Sequence, residues 1–266
     1  MDYACIYRSH VDESKNLLIQ SGQDRLARLF FQSLDMSTEP TKSIRSFVRR
    51  QGRMTPGQKQ ALATHWPTYG LGIAHGQQDL HSLFDQPAPC VCEIGFGMGD
   101  SLLAMAVDNP AINYVGIEVH QPGVGMLLKN IVRAGVDNIR LYQEDAREVL
   151  ARCLADESLA GVQLFFPDPW PKKRHHKRRI VQADFLDLIY AKLQPQGFFH
   201  LATDWQPCAE EVLEKLLADP RFNNRYGAAY FAPDRAGRPE TKFERRGQRL
   251  GHGVWDLVFE KQSSAA

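Results

Sequence analysis

The sequence has no long apolar run and no apolar leader. No stretch approaches the ~18 consecutive apolar residues that a membrane-spanning helix needs. The first residues, MDYACIYRSHVDESK, contain no apolar segment of signal-peptide length. We therefore expect a soluble protein with no membrane partner.

Cysteine is also scarce, and its spacing suggests no disulfide framework. The chain has five cysteines, an odd number, at Cys5, Cys90, Cys92, Cys153 and Cys208. Cys90 and Cys92 lie in an apolar run, where we expect them to pack as small hydrophobic side chains. The cysteines predict a reduced, cytoplasmic protein, and we predict no metal site.

Net charge is only +1 over 266 residues, so attraction to a polyanion would need segregated charge. Such segregation occurs in LFFPDPWPKKRHHKRR, from Leu164 to Arg179, which ends with six permanent positive charges in eight residues. A basic run alone is more often a solvated face than a binding site. This run directly follows an apolar stretch and a proline-rich loop, which makes it more informative.

The apolar run from Val162 to Phe166 is typical of a buried parallel strand. Three prolines follow within five residues, and each restricts its own φ and the residue before it. This loop should present Asp168 and Trp170 in fixed directions at the carboxyl end of the strand, where open α/β sheets bind ligands.

A second strand, Cys90 to Ile94, leads into GFGMG, which contains Gly95, Gly97 and Gly99. The dinucleotide fingerprint would require its third glycine at position 100, where this chain has Asp100. Glu93 precedes the loop, and we expect this acid at the mouth of the site. It would repel phosphate and attract an ammonium or sulfonium group, so the pattern favours a nucleoside ligand without a pyrophosphate.

Two more acids are predicted to follow strands. Glu118 ends the strand Asn113 to Val119, where it could accept hydrogen bonds from ribose hydroxyls. Asp145 lies just past Asn138 to Tyr142 and could accept from an adenine amino group. Each acid alone is more often solvated, but three strand ends with acids together favour a ligand site.

Strands alternate with helices along the chain, and the last two strands follow each other directly, near Tyr226 to Phe231 and from Val254 to Glu260. This order predicts an α/β fold with a doubly wound, mostly parallel, seven-stranded sheet and an antiparallel edge strand. We expect residues 1–43 to form a variable, partly ordered arm, and we assign no function to it. IRSFVRRQGR, with Arg45, Arg49, Arg50 and Arg53, could equally contact phosphates or form a solvated helix face.

Together, CEIGFGMG, GIEVHQPGVG, FFPDPWPKKRHHKRR, ATDW and TKFERRGQRLGHGVWDL resemble the bacterial tRNA (guanine-N7)-methyltransferase family. The resemblance covers residues 44–261, of which residues 44–70 are a basic segment. Residues 262–266 form a C-terminal tail outside it. It implies a class I, Rossmann-like methyltransferase fold, S-adenosylmethionine as donor and a variable-loop guanosine of tRNA as acceptor.

The resemblance also implies roles for particular residues. The implied donor contacts are Glu93, Glu118, Asp145 and Asp168. The glycine turn at Gly95, Gly97 and Gly99 would let the backbone approach the same ligand, and we expect Asp168 to be catalytic as well. The implied substrate contacts are Lys172, Asp204, Thr241, Lys242, Phe243 and Glu244. The implied RNA contacts are Arg174, His175, His176, Lys177, Arg178 and Arg179.

Guanine N7 carries a lone pair and no proton, so it can attack a sulfonium methyl group without a general base. Positioning and a fixed carboxylate near the cationic product would then supply catalysis. Asp168 and Asp204 are both candidates, and their roles stay open. The alternatives are a nicotinamide-dependent oxidoreductase and a non-enzymatic RNA-binding domain. The oligomeric state is also open.

Overall fold

The computed structural model describes residues 46–47, 52–227, 230–241, 244–245, 247, 251 and 253–263. Contacts divide the chain into two units, Met1–Ile44 and Arg45–Ala266, and the described residues all belong to the second. The predicted arm, Arg45, Arg49, Arg50, Lys242 and Phe243 lie outside the described residues. No helix in the described part of the chain is long and apolar enough to cross a membrane.

The described residues form one eight-stranded sheet, in the order β1-β4-β3-β2-β5-β6-β8-β7. Strands β1 to β6 run parallel, while β8 is antiparallel to β6 and to β7. The strands are β1 (Gly70–Leu71), β2 (Cys90–Ile94), β3 (Asn113–Ile117), β4 (Ile139–Tyr142), β5 (Leu159–Phe165), β6 (Leu193–Thr203), β7 (Phe222–Asn224) and β8 (Trp255–Lys261).

Helices cover both faces of this sheet. They are α1 (Pro56–Tyr69), α2 (Asp100–Asp108), α3 (Gln121–Ala134), α4 (Ala146–Cys153), α5 (Ala183–Lys192) and α6 (Gln206–Leu217). Alternate side chains of a strand point to opposite faces. Val91 accordingly packs in one apolar cluster with α1, α2 and α3, and Cys92 packs in the other with α4, α5 and α6. Cys90, Cys92, Cys153 and Cys208 are buried free thiols, as small core side chains would be.

The predicted fold class is confirmed, with differences in detail. β1 was missed, because two residues are too few to show a periodicity, and α4 was missed because Asp145 was interpreted only as a loop acid. The strand predicted near Tyr226 to Phe231 lies earlier, at Phe222–Asn224. Helix α1 begins after Thr55, which is its N-cap, and continues through Pro67 to Tyr69.

Candidate active site

The carboxyl ends of β2, β3, β4 and β5 surround a cavity of about 470 Å³. Its lining includes Gly95 and Gly97 after β2, Glu118 after β3, Asp145 after β4 and Asp168 after β5. Because neighbouring parallel strands end at the same edge of the sheet, four loops that are distant in sequence meet here. The structure therefore brings these five predicted residues into one site.

The loop after β2 contains glycines because its backbone has positive φ angles, and helix α3 packs closely against it. Gly95 and Gly97 have φ angles of 73° and 59°, in the left-handed region that side chains disfavour. A Cβ on either would meet no atom within 4 Å, so the loop exposes bare backbone to the cavity that both residues line. On its other side, a Cβ on Gly123 of α3 would lie 2.0 Å from the Gly97 carbonyl oxygen. The helix can approach the loop only because position 123 is glycine.

Glu118 is held by two backbone amides. Its Oε2 accepts from the Gly97 N–H at 2.8 Å, and its Oε1 accepts from the His120 N–H at 2.8 Å. These bonds fix the carboxylate between the glycine loop and the start of α3, and the residue is only 9% exposed. An oriented acid at the end of β3 can accept further hydrogen bonds from a ligand on the cavity side.

Asp145 begins helix α4. Its Oδ1 accepts from the Arg147 N–H at 2.9 Å, which makes it the N-cap of the helix. The half-buried carboxylate lines the cavity beside Glu144. The Oδ2 atom has no hydrogen-bond donor among the described residues, so the cap fixes the group and leaves an acceptor for a ligand.

Glu93 is not at the mouth of the site, and this part of the prediction is wrong. It lies within β2, is 2% exposed and does not line the cavity. Burial, and secondarily the charge of Glu118, raises its pKa to about 8. Its Oε2 has no hydrogen-bond partner among the described residues. The side chain points to the α1–α3 face, since it alternates with Cys92, whose side chain faces α4–α6.

The loop after β5 carries Asp168 on an unusual backbone. Phe166 and Trp170, on either side of it, have φ angles of 52° and 42°, which are rare for residues with large side chains. Hydrogen bonds hold both ends of the loop: the Phe166 N–H donates to the Ala202 carbonyl at 2.7 Å, and Trp170 Nε1 donates to the Ser46 carbonyl at 3.0 Å. Asp168 itself is exposed and lines the cavity, so the strained loop presents a carboxylate to a ligand.

Most of the basic run faces outward. A 3₁₀ helix spans Lys173–Arg178; within the run, Lys172, Lys173, Arg174 and Lys177 are exposed, and His175, His176 and Arg178 are half-buried. The Arg178 guanidinium lies 4.9 Å from the Trp170 ring centroid, a cation–π distance. Partial desolvation and then the charge of Arg174 lower the pKa of His175.

Arg179 is the exception, and its side chain is not available to RNA. It is 5% exposed, forms an ion pair with Glu211, and donates from Nε to the Pro169 carbonyl at 2.9 Å. Glu211 is also paired with Lys215 at 2.6 Å. An arginine fork can satisfy a carboxylate and a carbonyl together, so Arg179 connects the Asp168 loop to helix α6.

The remaining predicted substrate residues lie after β6 and before β8. Asp204 is half-buried and directly follows β6, outside the cavity lining. Thr241 is half-buried, and its Oγ1 accepts from the Glu244 N–H at 3.0 Å. Glu244 is 2% exposed, and its carboxylate pairs with Arg238 at 2.6 Å and with Arg235 at 2.8 Å. The Glu244 side chain therefore stabilises this segment internally instead of facing a substrate.

Sequence reasoning missed several cavity residues. Ser46 and Phe47 line the cavity although they lie far upstream, and His120, Glu144 and Ile180 line it beside predicted residues. Position next to a strand end could have indicated His120 and Glu144, whereas nothing local indicates Ser46. Within the described residues, no group of three or more His, Cys, Asp or Glu side chains could hold a metal ion.

The parallel sheet with an antiparallel strand next to its edge, the bare glycine loop and the acids at successive strand ends define a class I methyltransferase. A solved structure of the 16S rRNA methyltransferase KamB shares the fold, with a TM-score of 0.50 and 16% identity over 69% of this chain and 91% of that one. A protein-family model described as "Putative methyltransferase" matches residues 87–257.

Curated relatives narrow the class. A tRNA (guanine-N(7)-)-methyltransferase of Shewanella baltica is 56% identical over 83% of this chain and 92% of its own. The proteins of that name from Saccharophagus degradans and Pseudomonas aeruginosa are 54% and 52% identical, covering 83% and 84% of this chain and 96% and 91% of theirs. The chain belongs to the tRNA (guanine-N7)-methyltransferase family.

Proposed function

We propose that this protein transfers a methyl group from S-adenosylmethionine to N7 of a guanosine in the variable loop of tRNA. The observation that carries the proposal is the position of Asp168, exposed at the cavity edge on a strained loop that continues directly into the basic 3₁₀ helix. A fixed carboxylate thereby lies between a nucleoside-sized cavity and a surface suited to phosphates. Membership of the family supports this assignment.

The groups that line the cavity are suited to bind S-adenosylmethionine. Gly95 and Gly97 expose bare backbone to it, Glu118 is oriented for ribose hydroxyls, and Asp145 keeps a carboxylate oxygen for an adenine amino group. When bound, the donor supplies a methyl group on a positively charged sulfur, which a nucleophile with a free lone pair can attack directly. Glu93 would affect donor binding only indirectly, because it lies outside the cavity lining.

Asp168 provides the electrostatic part of the mechanism. Methylation at N7 makes the guanine ring cationic, so a preorganised carboxylate beside it stabilises the charge that develops in the transition state. A carboxylate can also accept from guanine N1–H and the N2 amino group together, which adenine cannot satisfy. We propose that Asp168 and Asp204 supply these two roles between them and that Thr241, Lys242 and Phe243 contact the guanine.

The exposed cations next to Asp168 would contact the tRNA backbone. Lys172, Arg174, Lys177 and Arg178, with the two histidines of the 3₁₀ helix, form a basic surface that suits phosphates. Arg179 and the Glu244 carboxylate have structural partners and are left out of this assignment. We further propose that the catalytic unit extends over residues 44–261, after an arm at 1–43, and that it acts in the cytoplasm.

The deciding experiment is methyl transfer to unmodified tRNA, followed by mapping of the modified base. The matched control is tRNA whose variable-loop guanosine is replaced by adenosine, which should accept no methyl group. Methylation at another base, or none at all, would overturn the proposal. Binding of labelled S-adenosylmethionine measured against NAD separates a methyltransferase from an oxidoreductase. RNA binding without either ligand would indicate a binding domain.

A further inference from the structure

Arg238 is a buried arginine that is not among the predicted site residues. It contacts both the loop that carries Asp168 and the segment that contains Glu244. The Arg238 side chain has no exposed surface, and its guanidinium forms three charged hydrogen bonds. Nε and one terminal nitrogen donate to the two oxygens of Asp256 at 2.7 and 2.8 Å, and the other terminal nitrogen donates to Glu244 at 2.6 Å. Burial alone would lower the pKa of Arg238, but the hydrogen bonds with Asp256 and Glu244 raise it, so the group stays charged.

Asp256 anchors this arginine to the sheet. It lies on β8 opposite Ala202 of β6, and its Oδ1 atom is 2.7 Å from His200 Nε2. Ala202 is two residues before Asp204 and also accepts the hydrogen bond from Phe166. The guanidinium of Arg238 is therefore held close to the residues at which the Asp168 loop and the Asp204 loop begin.

Arg238 also contacts the base of the Asp168 loop directly. Its guanidinium carbon lies 5.3 Å from the ring centroid of Phe166, the residue with a positive φ at which the loop begins. A guanidinium plane that stacks on an aromatic face and forms a bidentate pair at once is a combination that lysine cannot reproduce. The same side chain therefore contacts Phe166 and holds Glu244.

We propose that Arg238 is a positioning residue for methyl transfer: it fixes the segment containing Thr241 and Glu244 relative to the Asp168 loop. It acts through Glu244 and Phe166 and does not contact substrate. The inference rests on the proposed function, because the quantity it controls is the alignment of guanine with the donor. A displacement of about 1 Å at a reacting centre can cost about 100-fold in rate.

The test compares Arg238→Met, which keeps the volume and removes the charged contacts, with Lys261→Met. Lys261 lies on β8, the strand that carries Asp256, but at its other end; it is also buried and pairs with Glu157 at 2.8 Å. We expect Arg238→Met to lower kcat at least about tenfold, with donor affinity unchanged by calorimetry. Lys261→Met should lower the melting temperature and leave kcat unchanged. Arg238→Lys should recover only part of the activity.

Two further results complete the test. Glu244→Gln should lower kcat in the same way, and the double variant Arg238→Met/Glu244→Gln should fall no further than the lower single variant. If Arg238→Met does not fold, Glu244→Gln decides instead. The proposal is overturned if kcat is retained in the folded variant, or if Lys261→Met loses as much kcat. Failure of the unaltered protein to methylate tRNA would count against the proposed function itself, a separate outcome.

Discussion

Replacing Arg179 and Arg178 separately by alanine should give opposite results, although the two residues are adjacent in one basic run. Arg179 is 5% exposed and is held by Glu211 and the Pro169 carbonyl. Arg178 is half-buried, and its guanidinium lies 4.9 Å from the ring centroid of Trp170. We expect Arg179→Ala to reduce stability and Arg178→Ala to reduce tRNA affinity.

The structure sets the size of each effect. Removing one partner of a buried ion pair costs about 3–5 kcal/mol, but Glu211 keeps Lys215 at 2.6 Å. We therefore expect the lower end of that range for Arg179→Ala. In a domain of this size, about 3 kcal/mol lowers the melting temperature by about 6–12 °C. Arg178→Ala loses a cation–π contact worth about 0.5–1 kcal/mol, a shift of only about 1–4 °C.

Two measurements separate the variants. Thermal unfolding gives the stability change, and tRNA affinity at several salt concentrations, well below the melting temperature, gives the number of phosphate contacts. Loss of one contact should flatten the log–log salt slope by about one unit, which we expect for Arg178→Ala alone. A flatter slope for Arg179→Ala with an unchanged melting temperature would refute the inward assignment of Arg179.

The remaining predictions concern three carboxylates. Asp168→Ala should abolish methyl transfer, by at least about 100-fold, without lowering the melting temperature; activity close to that of the unaltered protein would contradict its role. Glu118→Ala should weaken binding of S-adenosylmethionine by about 1.5–3 kcal/mol and hardly change tRNA binding. Calorimetry with each ligand separately measures both affinities, and equal losses for the two ligands would refute the assignment of Glu118. Glu93→Gln should stabilise the protein above pH 4.5. Burial raises the pKa of Glu93 to about 8, so folding favours its protonated form, and its contribution to stability falls as pH rises from 4.5 to about 8. Denaturant unfolding should show a gain approaching about 3 kcal/mol at pH 7 that vanishes near pH 4.5; a gain independent of pH would contradict it.

The sheet and much of the cavity lining at the ends of β2, β3 and β4 were predictable because each depends on local chemistry. Buried parallel strands give apolar runs, glycines mark a turn with positive φ, Glu118 directly follows β3, and Asp145 lies three residues past the end of β4. The exact depth of a residue in a strand is less visible. Glu93 stands only two residues before Gly95, yet that distance separates a buried side chain from the cavity.

Partners that are distant in sequence account for the remaining errors. Arg179 looks like the last member of a basic patch, and only its ion pair with Glu211 on helix α6, three elements later, turns it inward. Ser46 lies more than a hundred residues from Trp170, whose indole it binds. No local pattern encodes such pairs, since each depends on where the folded elements meet.

The Asp168 loop shows why these distant partners matter for the role that we propose for Asp168. Its two residues with positive φ, Phe166 and Trp170, each cost about 1–3 kcal/mol, and prolines alone do not favour that conformation. The loop is held by contacts at three points: Arg238 on Phe166, Arg179 on the Pro169 carbonyl, and the Trp170 indole on Ser46. Two of these contacts come from Arg238 and Arg179, whose charged side chains are buried. A charge buried in this way stabilises the loop only while all its partners are in place, so the carboxylate of Asp168 keeps one direction toward the cavity as long as the surrounding fold is intact.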